Sequence, residues 1–418
     1  MSQPTTHPNR AGRRERGSAR EHQGAAMKKG WQTKTLGEVL QKTETINPLQ
    51  SPEAEFDYID VSSVSNATFE IEATQRLKGK DAPSRARRLV KTNDVLFATV
   101  RPTLQRIAVV PEHLDNQVCS TGYFVLRPKA GIDHRFVFYS LFTEDFMGQM
   151  ESLQKGASYP AVTDGEVRAQ VILVPPLPEQ QRIVGLLDEA FAGVATAKAN
   201  AEKNLQNARA LFESHLQSVF TQRGKEWVEK TLGDVFTTAT GTTPPKNNAD
   251  FYGYFMPLVK PPELCDASFD SAPDGLSEAG AAVARTLPKK SILVSCIGNL
   301  GKIGLNTVPV AFNQQINAIL PDESQAIPEF MFFQSLSPVF KEQLESLASG
   351  TTVPIVNKSK FNSVRVVLPP LPIQKPVVAQ LISLREETQC LASLYERKLA
   401  ALEALKRSLL HQAFTGEL

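Results

Sequence analysis

Trp31-Gln-Thr-Lys-Thr-Leu-Gly-Glu-Val39 returns 196 residues later as Trp227-Val-Glu-Lys-Thr-Leu-Gly-Asp-Val235. Pro175-Pro-Leu-Pro178 returns as Pro369-Pro-Leu-Pro372, now 194 residues on, and Gly156 and Pro160 recur at that same spacing as Gly350 and Pro354. Ala210-Leu211, Ser214 and Phe220-Thr221 recur as Ala404-Leu405, Ser408 and Phe414-Thr415. A drift of two residues over so long a register is the mark of a tandem duplication, and the fold has to be read as one unit built twice.

Each copy changes character once. Residues 27–174 and 224–368 are strand-rich and broken by Gly, Pro and Asn. Asp94-Val-Leu-Phe-Ala-Thr-Val100 and Ser291-Ile-Leu-Val-Ser-Cys-Ile297 are short β-prone apolar runs bounded by turn formers. After each Pro-Pro-Leu-Pro, segments 175–223 and 369–418 read as one long helix apiece. The apolar seam of the first is Ile183, Leu187, Ala190, Val194, Ala197, Ala201, Leu205 and Ala208. That of the second is Val377, Leu381, Leu384, Thr388, Leu391, Tyr395, Leu399 and Leu402, with the same 3-and-4 steps and the same 4-4 stutter. Such a seam is that of a coiled coil, unwound locally at the stutter. Pro376 is placed in the first turn, where its missing N–H is tolerated. At 1.5 Å per residue each helix would span roughly 60 Å and needs a partner of like length. The other copy's helix supplies one. The expected fold is therefore α+β. Two repeated mixed α/β domains are separated by two long antiparallel coiled-coil helices, a dumbbell with approximate two-fold symmetry.

Composition excludes several classes. With 418 residues, 41% hydrophobic and 22% charged, the chain is long and apolar enough for several ordinary domain cores. No apolar run approaches a membrane span, and no secretory leader is expected at the N-terminus. Residues 1–26 hold five arginines and no Leu, Ile, Val or Phe, so they are expected to be a disordered basic tail. Either they form a basic arm or translation starts at Met27, and the abrupt change of composition favours the second. Cys119, Cys265, Cys296 and Cys390 lie far apart with no metal-ligand spacing, so neither a zinc site nor a disulfide framework is expected.

The catalytic signatures that the sequence suggests are decoys. Gly298-Asn-Leu-Gly301-Lys302 suggests a phosphate loop, but Cys296 stands where the first Gly belongs and Ile303 where Ser or Thr belongs. Asn47-Pro48 is followed by Leu49 and Gln50, not by the Pro-Pro-aromatic run of amino-methylating enzymes, and Lys260-Pro-Pro-Glu263 lacks the leading Asn or Asp. The histidines His7, His22, His113, His134, His215 and His411 read as surface or capping residues. No enzyme is evident.

The charge is local. The chain carries only +2, but Arg76 to Arg106 holds nine basic residues against Asp81 and Asp94, a net +7 that leaves −5 elsewhere. Arginine forks with Thr and Gln read base edges, and further Lys and Arg hold phosphates. The candidate DNA-contacting residues are Lys78, Lys80, Arg85, Arg87, Arg88, Lys91, Thr99, Arg101, Thr103, Gln105 and Arg106. A weaker second set is Lys260, Lys289, Lys290, Asn299 and Lys302. Asn313-Gln314-Gln315 sits between β-prone runs, where a buried hydrogen-bonding role competes with a contacting one.

In its order of motifs the chain resembles the specificity (S) subunit of type I restriction–modification systems. The Trp…Thr-Leu-Gly openings, the Gly…Pro and Pro-Pro-Leu-Pro-x-Gln closings and the two long helices carry the resemblance over residues 31–418. The first half resembles one recognition-domain type through Ala82-Pro-Ser-Arg-Ala-Arg87, Asp94-Val-Leu, Val100-Arg101-Pro102 and Ser120-Thr121-Gly122. The second resembles another through Gly241-Thr-Thr-Pro244, Ser295-Cys-Ile-Gly298, Gly301 and Asn313-Gln314-Gln315. Ile373 and Lys375 depart from the pattern that Glu179 and Gln181 keep, which touches a local helix-cap contact.

The resemblance implies a cytoplasmic, non-catalytic subunit whose two target-recognition domains each read half of a bipartite, asymmetric double-stranded DNA site. Its helices set the unread gap and dock two methyltransferase subunits, joined by endonuclease/translocase subunits. No cofactor is implied on this chain: S-adenosylmethionine, Mg2+ and ATP are used by the partners. Two rival readings are a stand-alone DNA methyltransferase or nuclease, against which the missing motifs argue, and a coiled-coil scaffold that binds only protein.

Overall fold

The computed structural model describes residues 28–222 and 224–418, so the expectations for the tail at 1–26 and for a start at Met27 lie outside it. The chain forms two compact units. One takes the chain through Thr196 together with Leu402–Leu418, and the other is Ala197–Ala401. No helix among the described residues is long and apolar enough to cross a membrane.

The two helices expected from the seam are present, at Leu177–Thr221 and Leu371–Thr415, each 45 residues long. Pro178 and Pro372 occupy their first turns, where a missing N–H costs nothing. Pro376 does not: the helix begins at Leu371, so Pro376 lies inside it, beyond the first turn. The pairing is antiparallel within each unit. In the first, Ile183, Val184 and Leu187 cluster with Leu410 and Ala413, and Arg182 reaches the Leu418 carbonyl at 3.0 Å. In the second, Leu216 and Phe220 share a core with Val378 and Leu381, and Arg209 pairs with Glu396 at 2.7 Å.

One seam residue needs correction. Leu391 is 41% exposed, while Thr388 is buried and Ala392, Tyr395 and Leu399 are half-buried. After Thr388 the seam steps by four to Ala392, so Leu391 faces solvent. The other seam positions Ile183, Leu187, Val194, Leu205, Val377, Leu381, Tyr395 and Leu399 are buried or half-buried.

Each unit closes on the end of the other copy's helix. Phe136 packs 4.9 Å from Phe414 in a cluster with Trp31, and Phe330 packs 5.5 Å from Phe220 and 5.9 Å from Trp227. The same three rings recur at the repeat spacing, and the third ring is always borrowed from the other copy.

The strands also repeat. In the first unit a four-stranded sheet runs Gln75–Lys78, Glu55–Ile59, Val118–Ser120, Ala86–Leu89, beside a three-stranded one in the order Ile107–Val109, Val95–Ala98, Tyr123–Leu126. The second has Gly275–Leu276, Tyr252–Val259, Val310–Phe312, Thr286–Leu287. Beside that sheet stand Ile303–Asn306, Ile292–Ser295 and Ile316–Leu320, extended at its edges by Ala267–Phe269 and Thr237–Thr240. In both four-stranded sheets the two central strands are parallel and the outer ones antiparallel. The repeat-opening strand pairs antiparallel with the strand that closes the domain: Gln32–Thr35 with Val171–Val174, and Val228–Thr231 with Arg365–Leu368.

Gln180 and Gln374 fix the exit into the long helices. Both are buried. Gln180 Oε1 accepts the Asp133 N–H at 2.8 Å, and its Nε2 donates to the carbonyls of Pro175 and Gly131. Gln374 does the same with the Ile327 N–H, Pro369 and Gln325. The departure at Ile373 and Lys375 has a small effect: the first copy carries a Glu179–Arg182 ion pair at 2.7 Å for which the second lacks the groups.

Candidate nucleic-acid interface

In the first unit three segments converge where the buried strand Val95–Ala98 ends. Thr99 is itself buried, and its N–H and hydroxyl both donate to the Gly122 carbonyl. Arg101 then adopts a left-handed conformation (φ 51°), and its N–H donates to the Pro160 carbonyl at 2.7 Å. Its guanidinium bonds to the Ser158 carbonyl at 3.2 Å and lies 5.1 Å from the ring centroid of Tyr159. Tyr159 is 71% exposed on the Gly156–Pro160 loop, whose Gly156 has φ 106°. Thr103 is exposed in the turn that follows, and Gln105 is half-buried with φ 53°. Arg106 folds back onto the carbonyls of Val61, Ser62 and Val64. Ser120–Gly122 completes the edge, and the Thr121 N–H bonds to the carbonyl of exposed Arg85 at 2.8 Å. Gly122 is required, since a Cβ there would meet Val61 Cγ2 at 2.5 Å.

The second unit builds the same edge from other residues. Gly298 (φ 77°) takes the place of Arg101, and its N–H donates to the Pro354 carbonyl at 2.9 Å. Val356 bonds to Cys296 as Val162 bonds to Thr99. Ser295 Oγ donates to the Asn299 carbonyl at 2.5 Å and accepts the Lys302 N–H at 2.9 Å, which closes a tight loop with Asn299 exposed. Asn313 is buried and bonds twice to Gln315, so its role is internal. Gln314 is exposed and accepts the Thr243 hydroxyl at 2.9 Å. Arg285, exposed, stands just before Thr286–Leu287 as Arg85 stands before Ala86–Leu89. It is anchored to Thr240 and Thr242.

The basic run divides between two ends of the fold. Lys78 and Lys80 share Glu53 at 3.0 and 3.1 Å, far along the sheet from the loop edge, and those bonds hold the Glu53 carboxyl below its ordinary pKa. Lys91 lies 3.8 Å from Glu44 at the opposite end of Val95–Ala98. Arg88 pairs with Asp164 at 2.7 Å and is mostly buried, and half-buried Arg87 bonds to the Ala86 carbonyl. Thr99, Arg88 and Arg106 are thus each engaged in bonds within the unit.

In the second unit Lys260 pairs with Asp274. Lys289 and Lys290 turn into the start of Ile292–Ser295, the opposite end from Asn299 and Lys302, with Lys290 3.7 Å from Glu323. The structure therefore gathers Arg85, Arg101, Thr103 and Gln105 at one edge, and Asn299 and Lys302 at the other. Sequence reasoning passed over Tyr159, although the Gly156–Pro160 spacing marked its loop, and Arg285, which lies outside any basic run. Nor did it single out Tyr254 and Phe255, which a bulge between Tyr252 and Met256 leaves strongly exposed. Among the described residues no group of three His, Cys, Asp or Glu is placed to hold a metal ion.

Comparison with known proteins agrees with this geometry. The type I restriction modification DNA specificity domain matches residues 28–205 and 224–396. The chain is 26% identical to the HindI specificity subunit of Haemophilus influenzae, over 81% of this chain and 89% of that one. It is 20% identical to the MjaIX specificity subunit of Methanocaldococcus jannaschii, over 66% and 68% of the two chains. Among solved structures, a chain from work on complex assembly and conformational transition of the type I R-M system superposes with a TM-score of 0.82. It is 27% identical, covering 94% of this chain and all of that one. The HsdS subunit of Thermoanaerobacter tengcongensis gives a TM-score of 0.67 at 27% identity, over 94% and 98% of the two chains.

Proposed function

The chain belongs to the family of type I restriction modification DNA specificity domains, and from that premise we propose that each unit reads one half of a bipartite DNA site through the loop edge described above. As a specificity subunit it is not itself an enzyme: it selects the sequence on which other subunits act. One observation carries the assignment of residues. The same edge is built twice on the same strand order, yet it presents Arg85, Arg101, Thr103 and Tyr159 in one unit and Arg285, Asn299, Lys302 and Gln314 in the other. A scaffold repeated with its exposed side chains exchanged is what an asymmetric site requires, because base edges are read by side-chain chemistry while the backbone only positions it.

The partners proposed are two methyltransferase subunits docked on the long helices, joined by endonuclease/translocase subunits, with the assembly acting on cytoplasmic DNA. S-adenosylmethionine, Mg2+ and ATP belong to those subunits in this scheme. Exposed leucines on the helices support the docking role: Leu211, Leu391, Leu394 and Leu405 are each between 41% and 51% exposed.

The test expresses the chain with its methyltransferase subunits and maps methylated adenines across a genome. Arg101→Ala should relax one half-site and Asn299→Ala the other. Uniform weakening over all sequences would make these residues phosphate contacts, and no change in either half-site would remove the edge from DNA reading.

A further inference from the structure

In the second unit the loop Gly298–Lys302 ends where the strand Ile303–Asn306 begins, and Asp266 fixes that junction. Its N–H donates to the Ile303 carbonyl at 2.8 Å, and its Oδ1 accepts the Ile303 N–H at 2.9 Å. The residue sits in the left-handed region (φ 54°), so this grip is held by its surroundings. One support is Lys341, whose ammonium donates to Asp266 Oδ2 at 2.9 Å and whose stem passes beneath Gly301. The other comes from the long helix: Arg385 donates from Nη2 to the Asp266 carbonyl and lies 5.5 Å from the ring centroid of Phe332.

The first unit solves the same problem differently. Arg106 closes the end of its loop onto the carbonyls of Val61, Ser62 and Val64, within the recognition domain itself. The residue 194 positions before Arg385 is Phe191, which packs on Tyr139 and has no hydrogen-bonding group to offer. Among the described residues only the second loop is tied through its base to a long helix by this route.

We propose that Arg385 is a positioning residue for sequence recognition by the second unit, fixing through Asp266 the placement of Asn299 and Lys302. It rests on the reading of Gly298–Lys302 as a DNA-contacting loop. A consequence is that displacement of the second long helix, as by a docking partner, reaches the second half-site directly.

The experiment compares wild type, Arg385→Met, Arg385→Lys, Asn299→Ala and Lys302→Ala, each assembled with the methyltransferase subunits. Methylated sites in a randomised plasmid library are sequenced and counted per folded complex. Methionine keeps the packing volume and removes the donor. It should relax discrimination by roughly 5-fold or more in the half-site that responds to Asn299→Ala, and leave the other half-site unchanged. Lysine, which keeps a donor, should recover part of that discrimination. The inference is overturned if Arg385→Met keeps wild-type preferences while Asn299→Ala or Lys302→Ala changes them. It is also overturned if Arg385→Met lowers modification evenly at both half-sites. If Asn299→Ala and Lys302→Ala leave the second half-site intact, the reading of the loop fails and the role of Arg385 falls with it.

Discussion

Arg101 and Tyr159, distant in sequence, form one exposed platform: the guanidinium lies 5.1 Å from the ring centroid, and the Arg101 N–H is locked onto the neighbouring Pro160 carbonyl at 2.7 Å. The hydrogen bond that the guanidinium makes there goes to the Ser158 carbonyl and not to a carboxylate, so under the proposed function its charge would be available to DNA. Arg101→Ala should cost about 1–3 kcal/mol at one base pair if the fork reads a guanine. Tyr159→Ala should produce a smaller loss at the same half-site, because it frees the guanidinium without removing it, and Tyr159→Phe should be nearly silent. Equilibrium binding of the assembled complex to duplexes varied one base pair at a time checks this. A loss spread evenly over all duplexes, with a shallower salt dependence, would show a phosphate contact instead.

Gln180 and Gln374 each satisfy one buried N–H and two carbonyls at the entrance to a long helix. Replacing either with Ala strands buried polar groups and should destabilise by about 1–3 kcal/mol per group left unsatisfied. Hydrogen exchange should accelerate around Gly131–Asp133 in the first variant and Gln325–Ile327 in the second. Unchanged exchange in those segments would mean that water replaces the amide at no cost.

The duplication, the strand-rich halves and the two helices were legible because they are patterns of spacing, and spacing survives in a linear string. The surroundings of the charges were not legible, for the opposite reason. Lys78 and Lys80 are matched by Glu53 and Arg88 by Asp164, partners outside the basic window that only the fold brings near. Arg285 escaped notice because its kinship with Arg85 is one of strand order, and the two recognition regions share topology with little sequence to betray it. Leu391 was misplaced because a stutter tells where a seam drifts by one residue but not which copy drifts first.

Glu166 closes the turn beneath the Gly156–Pro160 loop. Its carboxylate accepts the Thr163 N–H at 2.7 Å and also bonds to Lys155 and the Thr163 hydroxyl, which together hold its pKa down to about 2 from the ordinary 4.5. A depressed carboxyl stabilises the fold fully above its unfolded pKa and loses that contribution as pH falls through the folded one. The loop should therefore loosen between about pH 4.5 and 2. Glu166→Gln should loosen it already at neutral pH. Fluorescence of a probe at Tyr159, introduced as Tyr159→Trp, follows both. An emission that is flat across that pH range would mean that Lys155 and Thr163 hold the turn without the charge.

Leu391 and Leu394, 41% and 48% exposed, lie three apart on the second long helix and so share a face. That face flanks the buried and half-buried line of Thr388, Ala392, Tyr395 and Leu399. Leucines so placed bury only part of their surface in the folded chain, and burial of the rest against another subunit would stabilise an assembly. Leu391→Glu and Leu394→Glu should thus leave the thermal transition of this chain nearly unchanged, since both positions already meet water. In a complex each carboxylate would be taken from water into an apolar contact, a cost that grows if nothing pairs with it. If the face is a methyltransferase dock, each variant should weaken assembly by about 2 kcal/mol or more, the scale of an interface residue that matters. Native mass spectrometry over a dilution series would register that as lost subunits, while DNA binding by whatever complex remains keeps its sequence preference. Wild-type stoichiometry in both variants would move the dock elsewhere on the helices, and a collapse of the thermal transition would show that the two leucines are needed by the fold.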